Sequence, residues 1–96
     1  MNKLLCLLLL VPVLATAAPP LGERLYATCS ACHGTNGKPV GNALPKLAGQ
    51  RKEALIASMR AFRDGTRPAT IMHQISKGYP DQYVEQMAAW LAMQKP

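Results

Sequence analysis

Two cysteines and a histidine lie within five consecutive residues, Cys29-Ser30-Ala31-Cys32-His33. Residues three and four apart share one face of a helical turn, so Cys29, Cys32 and His33 can converge on one planar ligand. The C-x-x-C-H spacing is typical of covalent haem attachment. The two thiols would form thioethers with the haem vinyl groups, and the His33 imidazole would be an axial ligand of the iron. We therefore expect one covalently bound haem c.

Two other kinds of site also use a C-x-x-C pair. A redox dithiol is expected in a βαβ context, and a structural zinc site needs a second pair of ligands. Outside the C-x-x-C-H run, the sequence offers only Cys6 and His73 as further cysteine or histidine ligands. The shortage of ligands and the lack of strand patterns favour haem attachment over both alternatives.

The N-terminus has the three parts of an export signal. A short basic start at Lys3 is followed by an apolar stretch over residues 4–14, and Ala15-Thr16-Ala17 is typical of a signal peptidase site. A membrane span needs about 20 apolar residues, and this stretch is shorter and contains Pro12. We expect cleavage after Ala17, with an uncleaved anchor as the alternative.

Removal of a signal peptide over residues 1–17 would take Cys6 with it and leave residues 18–96 as one periplasmic domain. A domain of this size buries a modest core and commonly depends on a cofactor or cross-link for stability. No further apolar stretch predicts stable membrane insertion after cleavage.

Helical spacing and stop signals predict four helices and no strands in residues 18–96. The first runs from about Leu21 to Cys32, with Leu21, Leu25, Cys29 and Cys32 on one face. A long irregular loop is expected over residues 34–50, which are rich in Gly, Pro and Asn. A longer helix follows over about residues 51–64, stopped by Gly65.

A short third helix is predicted from Pro68, in its first turn, to Gly78. The fourth would begin at Pro80 and Asp81 and hold Lys95 in its last turn, where a cation suits the helix dipole. Apolar periodicity predicts the inward-facing side chains of the longer helices: Leu55, Met59 and Phe62, then Tyr83, Val84, Met87, Trp90 and Leu91.

Together these residues resemble the class I cytochromes c, an all-α fold of about four helices packed around one covalently attached haem. The resemblance covers the whole of residues 18–96. In that family a glycine on the first helix meets an aromatic residue on the last helix. The matching positions here are Gly22 with Tyr26 and Trp90. The resemblance also implies that the carbonyl of Pro45 accepts the Nδ1 proton of His33, which would orient the ring and raise its basicity.

A class I cytochrome c has a methionine sulfur as its second axial ligand. After cleavage the candidates are Met59, Met72, Met87 and Met93, and Met72 lies in a short segment rather than on a long helix face. We expect His33 and Met72 to be the iron ligands. His73 is the rival ligand, and the alternative role of each methionine is packing in the core.

A protein with these two ligands transfers single electrons. It is not an enzyme and has no small-molecule substrate. An open sixth position would instead favour a peroxidase or gas-binding role.

The chain is basic, with 11 Lys and Arg against 5 Asp and Glu, a net charge of +6. Loss of Lys3 and two ionised propionates would leave about +3. The basic side chains around the second helix, Lys46, Arg51, Lys52, Arg60, Arg63 and Arg67, could form a steering surface for an acidic redox partner or an ordinary solvated face. Nucleic acid binding is not expected, because aromatic residues are few.

A more specific similarity lies in the run from Phe62 to Met72 and in Ile75-Ser76-Lys77-Gly78-Tyr79. It resembles the haem-ligand segment of cytochrome subunits of flavocytochrome c sulfide dehydrogenases. That resemblance implies an FAD flavoprotein partner that oxidises sulfide and reduces this cytochrome. The family often has two haem domains, whereas this sequence has one C-x-x-C-H run. The alternative is a free-diffusing cytochrome c that serves a terminal oxidase or reductase, to which residues 45–50 are also similar.

Overall fold

The structure is a computed structural model and describes residues 12–96. Residues 12–20 are exposed and form no helix or strand. Cys6 and most of the predicted signal peptide lie outside the described residues. Within residues 12–96, no helix has both the length and the apolar character needed to cross a membrane.

The first helical stretch has three parts. Helix α1 spans Leu21–Tyr26, a 3-10 turn spans Ala27–Cys29, and helix α2 spans Ser30–His33. Its overall extent agrees with the prediction to within one residue. Of the four residues predicted to share one face, Leu25 and Cys29 are half-buried, whereas Leu21 and Cys32 are exposed. The buried positions of this stretch are Gly22, Tyr26 and His33. Helix α1 packs closely against another helix at Gly22, where a residue without a side chain is needed. The larger side chain of Leu21 therefore faces outward.

Helix α3 spans Lys52–Asp64 and ends as predicted. Gly65 follows in the left-handed conformation, with φ of 76°, which a residue without Cβ adopts at little cost. Between α2 and α3 the chain forms turns and one isolated bridge between Thr35 and Lys38, so the predicted loop is present.

Helix α4 spans only Met72–Ile75 and continues into a 3-10 turn over Ser76–Gly78. The predicted start at Pro68 is wrong. The backbone N–H of Arg67 donates to the carbonyl of Ala61 at 3.1 Å, and the Thr66 hydroxyl donates to the same oxygen at 3.3 Å. The chain there closes the end of α3 instead of opening a new helix.

Helix α5 spans Asp81–Ala92 and buries Val84, Met87, Ala88, Trp90 and Leu91. Two expectations for this helix are wrong. Tyr83 is 40% exposed, because its neighbour Val84 occupies the centre of the apolar stripe. Lys95 lies beyond the last turn, since the helix ends at Ala92.

The centre of the fold is the crossing of α1 and α5, and α3 packs against both α5 and α4. A Cβ atom on Gly22 would overlap the carbonyl oxygen of Gln86 and lie 2.7 Å from the Cβ of Trp90. The rings of Tyr26 and Trp90 lie 5.3 Å apart between centroids. The crossing therefore requires glycine at position 22, and the predicted contact of Gly22 and Tyr26 with Trp90 is present.

Candidate haem site

The attachment turn, residues 29–33, begins with Cys29 at the end of the 3-10 turn and continues with Cys32 and His33 in α2. Cys29 is half-buried and packs against the core formed by Tyr26, Trp90 and their neighbours, whereas Cys32 is exposed. Both are free thiols. Burial raises the pKa of the Cys29 thiol, and hydrogen bonds with the side chains of Thr28 and Tyr79 partly offset that rise.

The His33 ring is buried, with 9% of its surface exposed, and its Nδ1 atom lies 2.9 Å from the carbonyl oxygen of Pro45. A carbonyl oxygen can only accept a hydrogen bond, so Nδ1 carries the proton. In the neutral ring this leaves the lone pair on Nε2, the nitrogen available to a metal. The Pro45 contact thus fixes both the tautomer and the orientation of His33.

Backbone hydrogen bonds hold the loop that carries Pro45. The carbonyl of Gly37 accepts from the N–H groups of Leu47 at 2.9 Å and Ala48 at 3.1 Å. The N–H of Gly49 donates to the carbonyl of Leu91 at 3.0 Å, which joins the loop to α5. These contacts place the Pro45 carbonyl beside the attachment turn.

Tyr26 adds a contact that the sequence interpretation missed. Its hydroxyl donates to the carbonyl of Gly34 at 2.5 Å, immediately after the attachment run. Burial raises the pKa of Tyr26. A buried tyrosine usually needs a hydrogen-bond partner, which was the one signal in the sequence for this contact. Tyr26 therefore joins the helix crossing to the backbone beside His33.

Met72 is half-buried at the start of α4. Met59 on α3 is half-buried, and Met87 on α5 is buried in the core with 5% exposed. Met93 is 75% exposed just beyond α5, so its expected role in apolar packing is wrong. Next to Met72, the Nδ1 atom of His73 is buried without a hydrogen-bond partner.

The residues present fit a covalently attached haem. An open cleft of about 540 Å³ lies beside Cys32 and is lined by Val40 and Leu44 of the loop, but Cys29, His33 and Met72 do not line it. Val40, Leu44 and, in the Met72 segment, Ile71 are exposed apolar side chains, which an apolar ring could cover. Across residues 12–96, no group of three or more His, Cys, Asp or Glu side chains is arranged to hold a metal ion.

The helical fold, the C-x-x-C-H turn and the oriented histidine define a haem-binding electron carrier. The sequence model of the cytochrome c family matches residues 20–94. The chain belongs to the cytochrome c family and has the class I fold. Membership implies covalently bound haem c, and the C-x-x-C-H run at residues 29–33 agrees with it.

The relatives differ in how much of their length this chain matches. Cytochrome c-554(548) of Halomonas halodenitrificans is 36% identical over 77 residues, covering 77% of this chain and 93% of that protein. In structure, the reduced cytochrome c4 from Pseudomonas stutzeri matches with a TM-score of 0.73 and 29% identity, over 82% of this chain and 47% of the other. The chain therefore spans nearly all of one relative and about half of the other.

Some of the relatives have names that refer to sulfur compounds. A thiosulfate dehydrogenase electron acceptor from Stutzerimonas stutzeri is 40% identical over 73 residues, 73% of this chain and 34% of that protein. The cytochrome subunit of sulfide dehydrogenase from Chlorobaculum tepidum is 28% identical over 79 residues, 82% of this chain and 71% of that protein. The expected resemblance to sulfide dehydrogenase subunits is confirmed, at a lower sequence identity than that with cytochrome c-554(548).

Proposed function

We propose that residues 18–96 form a periplasmic monohaem cytochrome that carries single electrons. Cys29 and Cys32 would hold the haem by thioether bonds, and the side chains of His33 and Met72 would bind its iron. The observation that supports this assignment best is the 2.9 Å contact between His33 Nδ1 and the Pro45 carbonyl. It leaves Nε2 as the metal-binding nitrogen in a ring that the protein has already oriented.

When bound, the haem supplies a one-electron couple between ferric and ferrous iron. The residues of this chain tune that couple in opposite directions. The thioether of Met72 and the buried surroundings favour the reduced iron, whereas the Pro45 carbonyl makes His33 more basic and favours the oxidised iron. If His33 and Met72 both bind the iron, no position would remain on it for a substrate, which supports a carrier and not an enzyme.

The proposed electron donor is an FAD-containing sulfide dehydrogenase subunit. The similarity of residues 62–79 to the haem-ligand segment of such cytochromes supports it, as does the relative from Chlorobaculum tepidum. The expected steering surface needs revision, because two of its members are paired. Lys52 lies 3.1 Å from Glu85, and Arg63 lies 2.6 Å from Asp81. The exposed residues Lys46, Arg51, Arg60 and Arg67 form no ion pair within residues 12–96 and carry the proposed attraction.

The second candidate is a free-diffusing cytochrome that serves a terminal oxidase or reductase. The coverage of cytochrome c-554(548) favours it, because this chain spans 93% of that protein. A carrier of that kind needs only brief encounters with each partner. The two candidates therefore differ in whether a stable complex forms.

Stopped-flow mixing distinguishes the candidates. The ferric protein is mixed with a sulfide-reduced FAD sulfide dehydrogenase subunit, with a thiosulfate-oxidising enzyme, or with an unrelated reduced cytochrome. Rapid and saturable haem reduction by the flavoprotein, with a complex at low salt, supports the subunit assignment. Reduction by the other donors alone, with no complex, supports the free carrier.

Charge variants sharpen this experiment. Lys46→Glu and Arg51→Glu should slow association with the flavoprotein, and the difference from wild type should shrink as salt screens the charges. Lys95→Glu, beyond the end of α5, is the matched control and should leave the rate unchanged. Equal slowing by all three variants would show that net charge matters and that the proposed surface does not.

A further inference from the structure

We propose that Tyr79 and Thr28 are positioning residues that hold the Met72 segment against the attachment turn and thereby control how easily Met72 leaves the iron. This inference rests on the proposed axial role of Met72. It concerns residues that touch neither the iron nor a redox partner in the assignment above.

The two side chains join distant parts of the chain. The hydroxyl oxygens of Thr28 and Tyr79 lie 2.5 Å apart, although the residues are 51 positions apart in sequence. Thr28 immediately precedes Cys29 in the 3-10 turn, and Tyr79 follows the 3-10 turn after α4. Their hydrogen bond connects the turn that holds the haem with the segment that holds Met72.

Hydrogen bonds continue from Tyr79 back towards Met72. The N–H of Tyr79 donates to the carbonyl of Ser76 at 3.3 Å. The fully buried hydroxyl of Ser76 donates to the carbonyl of His73 at 3.3 Å. His73 is the residue next to Met72. A displacement of Tyr79 is therefore transmitted through two short steps to the backbone beside Met72.

Tyr79 is also held from the side of α3. Its carbonyl accepts a hydrogen bond from Arg63 Nη2 at 3.3 Å, and Arg63 Nη1 contacts the Asp81 carboxylate at 2.6 Å. These bonds remain when the Tyr79 hydroxyl is removed. The Thr28 contact can thus be broken while the rest of the segment stays attached to α3.

Loss of the hydroxyl pair should favour the open state, in which Met72 has left the iron. A single hydrogen bond of ordinary strength changes such an equilibrium by roughly threefold to tenfold. An external ligand that competes with Met72, such as imidazole, should bind more tightly by the same factor. The covalent haem content should not change, because Cys29, Cys32 and His33 themselves are not replaced.

The test uses the holoprotein and the variants Tyr79→Phe, Thr28→Val and the double variant. Tyr83→Phe is the matched control, because Tyr83 is an exposed tyrosine on α5. The measurements are the ferric Fe–S absorption, the imidazole dissociation constant and the free energy of unfolding. Thr28→Val provides an independent test if Tyr79→Phe folds poorly.

Both single variants should lower the imidazole dissociation constant roughly threefold to tenfold, and the double variant should add little to either. Tyr83→Phe should match wild type. An unchanged imidazole affinity in both single variants, or fully additive effects in the double variant, would overturn the inference. So would a loss of unfolding free energy without any change in imidazole affinity, since that result indicates a purely structural role.

Different results would contradict the role of Met72 as an iron ligand and the positioning role of Tyr79 and Thr28. Wild-type protein without Fe–S absorption would contradict the assignment of Met72, and the positioning role would fall with it. Wild-type Fe–S absorption with unaltered imidazole affinity in the variants would contradict the positioning role alone.

Discussion

The Nδ1 atom of His33 donates a hydrogen bond to the carbonyl oxygen of Pro45 across 2.9 Å, between the attachment turn and the loop that follows it. This contact leaves Nε2 as the ring nitrogen with a free lone pair, which is the one that can bind a metal. It also withdraws the imidazole proton partly towards the carbonyl, which increases electron donation to a bound metal.

Pro45→Ala should raise the reduction potential. Without the ring that fixes the backbone at position 45, the carbonyl is held less firmly, His33 becomes a weaker donor, and the ferric state loses stability. A twofold to tenfold change in the relative stability of the two states corresponds to roughly 20–60 mV for a one-electron couple. Protein-film voltammetry measures it, with Pro19→Ala in the exposed N-terminal segment as the control. A lower potential in Pro45→Ala would contradict this role.

Met72→Ala should keep the covalent haem, lose the ferric Fe–S absorption and have a lower reduction potential. The sixth position would then be open to small ligands. The controls are Met59→Ala and Met87→Ala. Met87→Ala should cost about 2–5 kcal/mol of stability because its side chain is buried, yet keep the Fe–S absorption. Loss of that absorption in a control, with retention in Met72→Ala, would show that the ligand assignment is wrong.

Gly22→Ala should destabilise the protein by about 1–3 kcal/mol, because a methyl group overpacks the crossing of α1 and α5. The matched control is Gly78→Ala, since a Cβ at Gly78 meets no atom within 4 Å. Chemical denaturation of the holoproteins measures both changes. Equal free energies of unfolding in the two variants would mean that α1 and α5 can move apart at Gly22 without loss of stability, which would contradict the prediction.

Stability should decrease in acid through the ion pair of Asp81 with Arg63. The Arg63 guanidinium lowers the pKa of Asp81 from its ordinary value of 3.8. A lowered folded-state pKa means that the contribution is fully present above about pH 4 and disappears as the pH falls through the lowered value. Asp81→Asn should therefore be less stable than wild type near neutral pH, and the two should converge in acid.

Glu23→Gln is the control for the Asp81 experiment. Glu23 also lies in the first turn of a helix but forms no ion pair within residues 12–96. A matching effect of Glu23→Gln would assign the pH dependence to the helix dipole instead of the Arg63 contact. Thermal unfolding followed from pH 7 to pH 3 provides the comparison.

Local sequence signals predicted the helical fold because each signal acts within a few residues. Gly65 supplies the left-handed turn that ends α3, and Asp81 begins α5 where it was expected. The expectation failed where a distant contact competes with a local preference. Pro68 is a good first residue of a helix, yet Arg67 and Thr66 bind Ala61 and delay α4 to Met72.

In the candidate site too, local features could be predicted from the sequence and contacts between distant residues could not. The attachment run is local, and a motif identifies it. The contact of His33 with Pro45 was implied by family resemblance and not by any spacing rule. The hydrogen bonds of Tyr26 with Gly34 and of Thr28 with Tyr79 could not be predicted, because no periodicity relates a hydroxyl to a partner on another element.

Covalent attachment of one haem is the claim on which the other assignments depend, and a pyridine haemochrome spectrum of the purified protein tests it most directly. The protein must be produced with working haem-attachment machinery, and a Cys29→Ala, Cys32→Ala variant is the control. We expect the spectrum of a haem with two thioether bonds, at one haem per chain, and none in the control. A chain without haem, or with haem that solvent extraction removes, would contradict the account.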